Sequence, residues 1–316
     1  MNKKVSLILK LVITVGILFV LFRLVPYHEL LDVYRRSNKV FILYGFLVNV
    51  FIFMLTIFRW KLLLSSLGIK ASTHEAFSAS FSGLFFNLIF PSFVAGDIFR
   101  GFSISNRHGQ SHKVASSVLM DRFSGAFGLT IVALFSFIFG RKLLPHGQIL
   151  IALFILCAIV GFVSLLIFSK TFFSFFARIF KKGSPLKEKV VSFHDQLYFF
   201  RKNPKVFLKS LLISVPVQAL VAVMFFITSK AFDLHVSIMY FFILVPLIMM
   251  IALIPITIGG IGTREAAVVY FFSFVGIAKS VSLGLSLLNL AFGIILGLFG
   301  GIFYVTVHHR RLQPRS

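Results

Sequence analysis

The chain has 316 residues, of which 58% are hydrophobic and only 13% are charged, and its mean hydropathy is +0.98. Soluble domains carry about 25% charged residues, so the composition excludes a soluble protein and indicates a polytopic membrane protein. A transmembrane barrel would show alternating segments of about ten residues, so we predict an all-α fold. The net charge of +23 does not indicate nucleic acid as a partner, because the Lys and Arg residues cluster beside apolar runs.

The first half of the chain contains three apolar runs that we predict to be full spans. They cover residues 1–25, 40–58 and 114–139. The second of these is expected to end at Arg59-Trp60-Lys61, with Trp60 as an anchor at the membrane interface.

Residues 75–113 lie between the second and third of these spans and do not have the pattern of a full span. Ala76–Phe90 is apolar but too short and too rich in Ser to cross alone, and the chain then passes Pro91 into a polar segment. We predict a re-entrant hairpin, broken at Pro91.

The second half repeats this order of elements. Its three predicted spans are 149–169, 206–229 and 281–306. Between the first two lies a polar segment, 170–205, which we predict to be a cytoplasmic loop. A second broken hairpin is predicted at residues 238–278, around Pro255.

The two predicted hairpins share a motif, P-x-x-x-[A/G]-G-x-x-x-R, at Pro91–Arg100 and Pro255–Arg264, 164 residues apart. We therefore predict an internal duplication with halves 1–140 and 141–316, which together form one membrane domain. Each half has three crossings, and an odd number inverts the second half relative to the first, as in many transporters. The alternative, in which both hairpins cross fully, gives eight spans.

The distribution of positive charge predicts the orientation. With six crossings, 21 Lys and Arg residues lie on the side of the N-terminus and 8 on the opposite side. Cytoplasmic loops carry this excess, so we predict cytoplasmic N- and C-termini in the inner (cytoplasmic) membrane of a bacterium.

Six charged residues fall in the apolar regions and are the strongest candidates for function. They are Asp97, Asp121, Glu265, Arg100, Arg122 and Arg264. A charge at the bilayer centre costs about 2.5 to 3.5 kcal/mol on insertion scales, so these residues should face the protein interior or a wet cavity. They either bind a charged head group or pair with each other and brace the bundle, and the sequence leaves both open.

The breaks predict where an anion would bind. Proline and glycine end one helix, so a new half-helix begins inside the membrane with unpaired N–H groups at the positive end of its dipole. We expect Asp97 and Thr263 to be the N-caps and Arg100 and Arg264 to lie in the first turns. Two such ends entering from opposite faces would form one phosphate or carboxylate site.

Other polar and small residues complete the candidate site. Arg122 is a candidate third ligand of the anion or a partner of Glu265. The remaining candidates for binding are Asn87, Gly96, Gly259, Gly260, Gly262 and Asn289. For the three glycines at 259–262, plain turn geometry is the alternative.

The last predicted helix carries a row of small residues, Gly293, Gly297 and Gly301. Such a face favours close helix packing, so a second copy of the chain is a candidate partner, and ligand lining is the alternative. The nine histidines and Cys157 show no metal-ligand spacing, so we expect no metal and no cofactor.

Three segments carry a family resemblance: Asn87–Arg100, Ser116–Arg122 and Pro255–Ala267. They resemble the transmembrane region of lysylphosphatidylglycerol synthases, over about residues 10–305 of this chain. In the full-length synthases this region is thought to move an aminoacylated phospholipid between leaflets, while a separate soluble domain makes that lipid. The resemblance implies a flippase region alone; relatives tied to polyprenyl-linked sugars and hopanoids show that the substrate does not transfer.

We therefore expect a transporter that moves a phosphate-bearing lipid between leaflets, with the acyl chains remaining in the bilayer. One alternative is a membrane-embedded transferase with Asp97 or Glu265 as general base. The other is a non-catalytic accessory subunit.

Overall fold

The computed structural model describes residues 3–90, 94–140, 147–177, 185–254 and 256–312. Across these ranges the regular structure is helical and no strand is present. The helices are α1 Lys3–Leu24, α2 Tyr27–Arg35, α3 Lys39–Ser66, α4 Thr73–Ile89, α5 Ala95–His108, α6 Ser111–Gly140, α7 Gly147–Phe168, α8 Lys170–Ala177, α9 Pro185–Lys202, α10 Pro204–Ala231, α11 Ile238–Leu253, α12 Thr263–Ser273 and α13 Lys279–Leu312, with a 3₁₀ turn at Ile258–Gly260.

Five of these helices are long and apolar enough to cross a membrane: α3, α6, α7, α10 and α13. Helices α1 and α2 are bent by 76° at the break between them and would together make a sixth span. The predicted class, an all-α polytopic membrane protein, is confirmed. Helix α3 continues to Ser66, beyond the predicted end at residue 58, because Leu62–Leu64 extend its apolar surface after the charged residues.

Helices α4 and α5 form the first hairpin. Asn87 near the end of α4 accepts a hydrogen bond from the Gly96 N–H at the start of α5, at 2.6 Å. At the other end, Arg107 of α5 donates to Glu75 of α4 at 3.1 Å. The chain therefore turns and returns to where it entered. Pro91, the predicted break, lies outside the described residues.

Helices α11 and α12 form the second hairpin, with the rings of Phe241 and Phe272 5.5 Å apart at its open end. Pro255 lies outside the described residues. At 1.5 Å per residue α5 and α12 are about 21 and 17 Å long, shorter than a hydrocarbon core of about 30 Å. These lengths favour re-entrant hairpins over eight crossings.

Helices α3 and α10 hold equivalent places in the two halves, and both have 28 residues. They run antiparallel: the Asn38 N–H donates to the Ala231 carbonyl at 2.8 Å, and Arg59 donates to Ser214 at 3.0 Å. Equivalent helices of opposite direction are what an inverted repeat requires. Each hairpin also packs on the other half, α4 on α13 and α11 on α6. The boundary at residue 140 stays a prediction.

The segment 170–205 is not the plain loop that its polarity predicts. It contains α8 and α9, and α9 packs against α6 and α7. Phe200 is fully buried, and His194 stacks on Phe173 with ring centroids 3.7 Å apart. Burial lowers the pKa of His194 and favours its neutral form. Apolar residues spaced among the basic ones give α9 a face that docks on the bundle.

The glycine row on α13 is filled from within the chain. A Cβ on Gly297 would lie 2.5 Å from Leu88, and one on Gly301 would lie 2.6 Å from Phe85, both on α4. The expected close helix packing on this face is thus made with α4, and a second copy of the chain as a partner stays a prediction. Gly293 has no atom within 4 Å of a built Cβ and borders a cavity instead.

Candidate functional site

Asp121 on α6 joins α3 and α5 through two buried ion pairs. Its Oδ1 accepts from Arg59 Nε at 2.7 Å, and its Oδ2 accepts from Arg100 Nη2 at 2.9 Å. The side chain of Asp121 is 3% exposed. Two guanidinium groups thus compensate the burial of this carboxylate and fix α6 between the two neighbouring helices.

The chain of ion pairs continues through Asp97 on α5. Its Oδ1 accepts from Arg100 at 2.9 Å and its Oδ2 from Arg122 at 2.5 Å. We call Arg59, Asp121, Arg100, Asp97 and Arg122 the first-half cluster. It holds three arginines and two aspartates and therefore has a net charge of +1.

The cluster contains a residue that sequence reasoning missed, Arg59, and it corrects the expectation for Trp60. Trp60 is fully buried; its Nε1 donates to Ser117 at 3.1 Å, and the Arg100 guanidinium lies 4.6 Å from its ring centroid. The prediction of an interfacial anchor fails because α3 extends past this point. The apolar Leu62–Leu64 run after Arg59-Trp60-Lys61 was the available signal.

Glu265 organises the second hairpin and is completely buried. It accepts hydrogen bonds from the Gly262 N–H at 2.6 Å, from Arg264 at 2.6 Å and from Ser286 of α13 at 3.1 Å. The N-cap of α12 is therefore Gly262 and not Thr263, and Glu265 caps the helix from its third position. Arg264 lies in the first turn of α12, where it was predicted.

The start of α5 also differs from the prediction. The N-cap is Val94, so Asp97 is the third residue of the helix and Arg100 lies in its second turn. The Gly96 N–H is bonded to Asn87, just as the Gly262 N–H is bonded to Glu265. These two N–H groups are therefore satisfied within the chain and do not face a ligand.

A cavity of about 350 Å³ lies between the two halves, and we call it the shared cavity. Asn87 and Arg122 line it from the first half. Arg264, Gly259, Asn289 and Gly293 line it from the second. Asn289 donates to the Leu285 carbonyl, and its buried Oδ1 has no hydrogen-bond partner among the described residues.

A smaller cavity of about 210 Å³, the inner cavity, borders the first-half cluster and is lined by Arg59, Asp97, Arg100 and Asp121. Asn87 and Arg122 line both cavities. The expected pairing of Arg100 with Arg264 is therefore corrected: Arg122 is the arginine of the first half that shares a cavity with Arg264. Arg100 is held deeper, between two aspartates.

The glycines of the second break serve the turn. Gly260 and Gly262 have φ of +75° and +90°, and a Cβ on Gly260 would lie 2.8 Å from the Ala252 carbonyl. Thr263 donates to the Gly260 carbonyl at 3.1 Å and helps to hold this turn. Of the three glycines, Gly259 also lines the shared cavity.

The two sets of charges together are positive. The first-half cluster carries +1, and the Arg264–Glu265 pair is neutral. Both arginines on the shared cavity are partly exposed, with side chains 39% and 21% accessible for Arg122 and Arg264. Such a cavity favours an anion or a head group that contains one. In the described part of the chain, no three His, Cys, Asp or Glu residues could together hold a metal ion.

The fold and this cavity define a multi-pass α-helical membrane protein with a charged site between two halves. Within that class, the chain belongs to the lysylphosphatidylglycerol synthase TM region family, whose model matches residues 7–301. It is also similar to a UPF0104 membrane protein of Methanothermobacter thermautotrophicus, with 23% identity over 282 residues, 80% of this chain and 81% of the relative. No solved structure matches the chain. The family supports a role related to membrane lipids.

Proposed function

We propose that this protein moves a phosphate-bearing lipid between the leaflets of the membrane, with the head group bound in the shared cavity. One observation carries the proposal: Arg122 and Arg264, from opposite halves, line the same cavity. A guanidinium group binds phosphate oxygens through paired N–H donors. Two of them, on helices of different halves, would hold the head group while the halves rock past each other.

The position of each arginine suits this role. Arg122 is bound to Asp97, but Asp97 is also held by Arg100. Arg122 can therefore turn toward a ligand without leaving a buried carboxylate alone. Asn87 and Asn289 add neutral polar groups to the same walls. Transport of this kind changes no covalent bond, so we propose that the protein is not an enzyme.

We further propose that both termini are cytoplasmic and that the protein resides in the inner membrane of a bacterium. The count of 21 Lys and Arg residues on the N-terminal side includes Arg59 and Arg100, which the structure buries in the first-half cluster. Removing them leaves 19 Lys and Arg residues against 8. The asymmetry still favours a cytoplasmic N-terminal side. Cysteine labelling from either side of intact vesicles, at sites in 170–205 and 232–237, would test this.

The transport proposal is tested with purified protein in liposomes that contain phosphatidylglycerol with one fluorescent acyl chain. We expect the protein to expose the labelled lipid to a membrane-impermeant quencher faster than protein-free liposomes do. Loss of a charge-assisted hydrogen bond is worth about 1.5 to 3 kcal/mol. Arg122→Gln should therefore slow the movement about 10- to 100-fold.

Arg35→Gln, on the exposed face of α2, is the matched control and should move lipid at the rate of the unmodified protein. Arg264→Lys keeps the charge but loses the fork that binds Glu265, and we expect an intermediate rate. Wild-type rates for Arg122→Gln would contradict the proposal. Recovery of a covalently altered lipid would favour a transferase.

A further inference from the structure

An apolar groove lies between the second helix of the first hairpin and the span that follows it. The groove between α5 and α6 has a volume of about 410 Å³, and we call it the α5–α6 groove. Ile98 and Phe102 of α5 line it with 65% and 60% of their surfaces exposed, and Leu119 of α6 is 45% exposed. In a membrane protein, such exposed apolar walls face hydrocarbon chains.

Gly101 keeps the groove open along its floor. A Cβ on Gly101 would lie 3.6 Å from Val118 and 3.8 Å from Val114, which are ordinary contacts. Alanine would therefore fit at this position. Because Gly101 lines the groove, a longer side chain at this position would occupy part of it. The depth of the groove thus depends on one missing side chain.

The two ends of the groove differ in polarity. At one end lies Asp97, which also lines the inner cavity and binds Arg122 on the shared cavity. At the other end, the hydroxyl groups of Ser105 and Ser111 are hydrogen-bonded at 2.6 Å. From Asp97 to Ser105 the helix rises about 12 Å. The groove therefore has apolar walls, with a charged residue of the first-half cluster at one end and two hydroxyl groups at the other.

We infer that the α5–α6 groove binds one acyl chain of the lipid whose head group occupies the shared cavity. The inference rests on the proposed function and differs from the expectation that the acyl chains remain in the bilayer. The adjacency at Asp97 carries it: this residue lines the groove and binds Arg122, so a head group near Arg122 places its attached acyl chain beside the Asp97 end of the groove. A chain gains little hydrophobic free energy on moving from lipid into protein. The groove contributes by orienting the lipid.

Blocking the groove tests the inference. Gly101→Leu should slow the movement of phosphatidylglycerol about tenfold, which corresponds to about 1.4 kcal/mol. Gly101→Ala should transport normally. The matched control is Gly161→Leu on α7, where a built Cβ meets no atom within 4 Å. Leu119→Trp narrows the groove from the opposite wall at an exposed site and should act like Gly101→Leu.

A second measurement distinguishes binding of the acyl chain from binding of the head group. Binding of glycerol 3-phosphate, which has no acyl chain, should be unchanged in Gly101→Leu and Leu119→Trp and reduced in Arg122→Gln. If both blocked variants transport like Gly161→Leu, the groove holds bulk lipid only and the inference is overturned, while the proposed function stands. If the unmodified protein neither binds glycerol 3-phosphate nor moves lipid, the proposed function fails and the inference with it.

Discussion

Asp121→Asn removes a carboxylate that Arg59 and Arg100 share in the protein interior. Two charge-assisted contacts, at 2.7 and 2.9 Å, are lost, and the first-half cluster changes from +1 to +2. The amide still offers Arg59 an oxygen acceptor but no negative charge, and Ser214, the other hydrogen-bond partner of Arg59 in the described structure, is neutral. Breaking a buried ion pair in this way costs about 3 to 5 kcal/mol. We therefore expect Asp121→Asn to lower the free energy of unfolding by about 3 to 5 kcal/mol.

A double-mutant cycle shows whether the loss comes from the stranded charge. Arg59→Met in the Asp121→Asn background returns the cluster to +1, because Arg100 and Arg122 still share Asp97. The double variant should therefore be more stable than Asp121→Asn alone, with a coupling energy of about 1 to 3 kcal/mol. Equilibrium unfolding in mixed detergent micelles measures all four proteins.

The matched control is Asp32→Asn, because Asp32 is an exposed carboxylate on α2, and it should change stability by less than about 0.5 kcal/mol. The reasoning is refuted if Asp121→Asn costs less than about 1 kcal/mol. It is also refuted if the losses of the two single variants simply add, since additivity would mean that Arg59 and Asp121 do not depend on each other.

Two further predictions concern the first hairpin. Gly96→Ala would press a Cβ onto the Gly83 carbonyl, so it should destabilise the protein by about 1 to 3 kcal/mol, whereas Gly161→Ala should be neutral or stabilising; equal thermal midpoints would contradict the close approach of α4 and α5. Burial would raise the pKa of Glu75, but bonds from Ser72 and Arg107 lower it from 4.5 to about 2. Its contribution to stability is therefore complete above pH 4.5 and is lost as the pH falls toward 2. Glu75→Gln should lower the thermal midpoint at pH 7, and the difference from the unmodified protein should shrink below pH 4.5; a constant difference would contradict the role of the charge.

Much of the fold was predictable because the relevant signals are local. The length of each apolar run marks the spans, and Gly96 and Gly262 occur where a helix breaks and restarts. The helix caps were less predictable. Asp97 and Thr263 were expected to cap the two helices, but the helices begin earlier, and Asn87 and Glu265 accept the hydrogen bonds of the Gly96 and Gly262 N–H groups. Only the observed turns decide where each helix begins.

Among the charged residues, the buried carboxylates could be identified from the sequence, but their partners could not. Asp97, Asp121 and Glu265 were identifiable because a carboxylate in an apolar run must be compensated. Their partners were not: Arg59 lies 62 residues from Asp121, and its position at the end of an apolar run is typical of a membrane surface. Helix α3 continues past Arg59 to Ser66 and packs on the bundle there, which leaves Arg59 buried.

The sequence alone determined that the chain is a helical membrane protein with two broken hairpins, because hydropathy, proline and glycine act within a few residues. The tertiary structure decided which guanidinium meets which carboxylate and that Arg122, not Arg100, joins Arg264 at the shared cavity. Those choices depend on how helices from the two halves pack. Burying a charge costs free energy unless a group of opposite charge lies beside it, and only the packing of the helices decides which group that is.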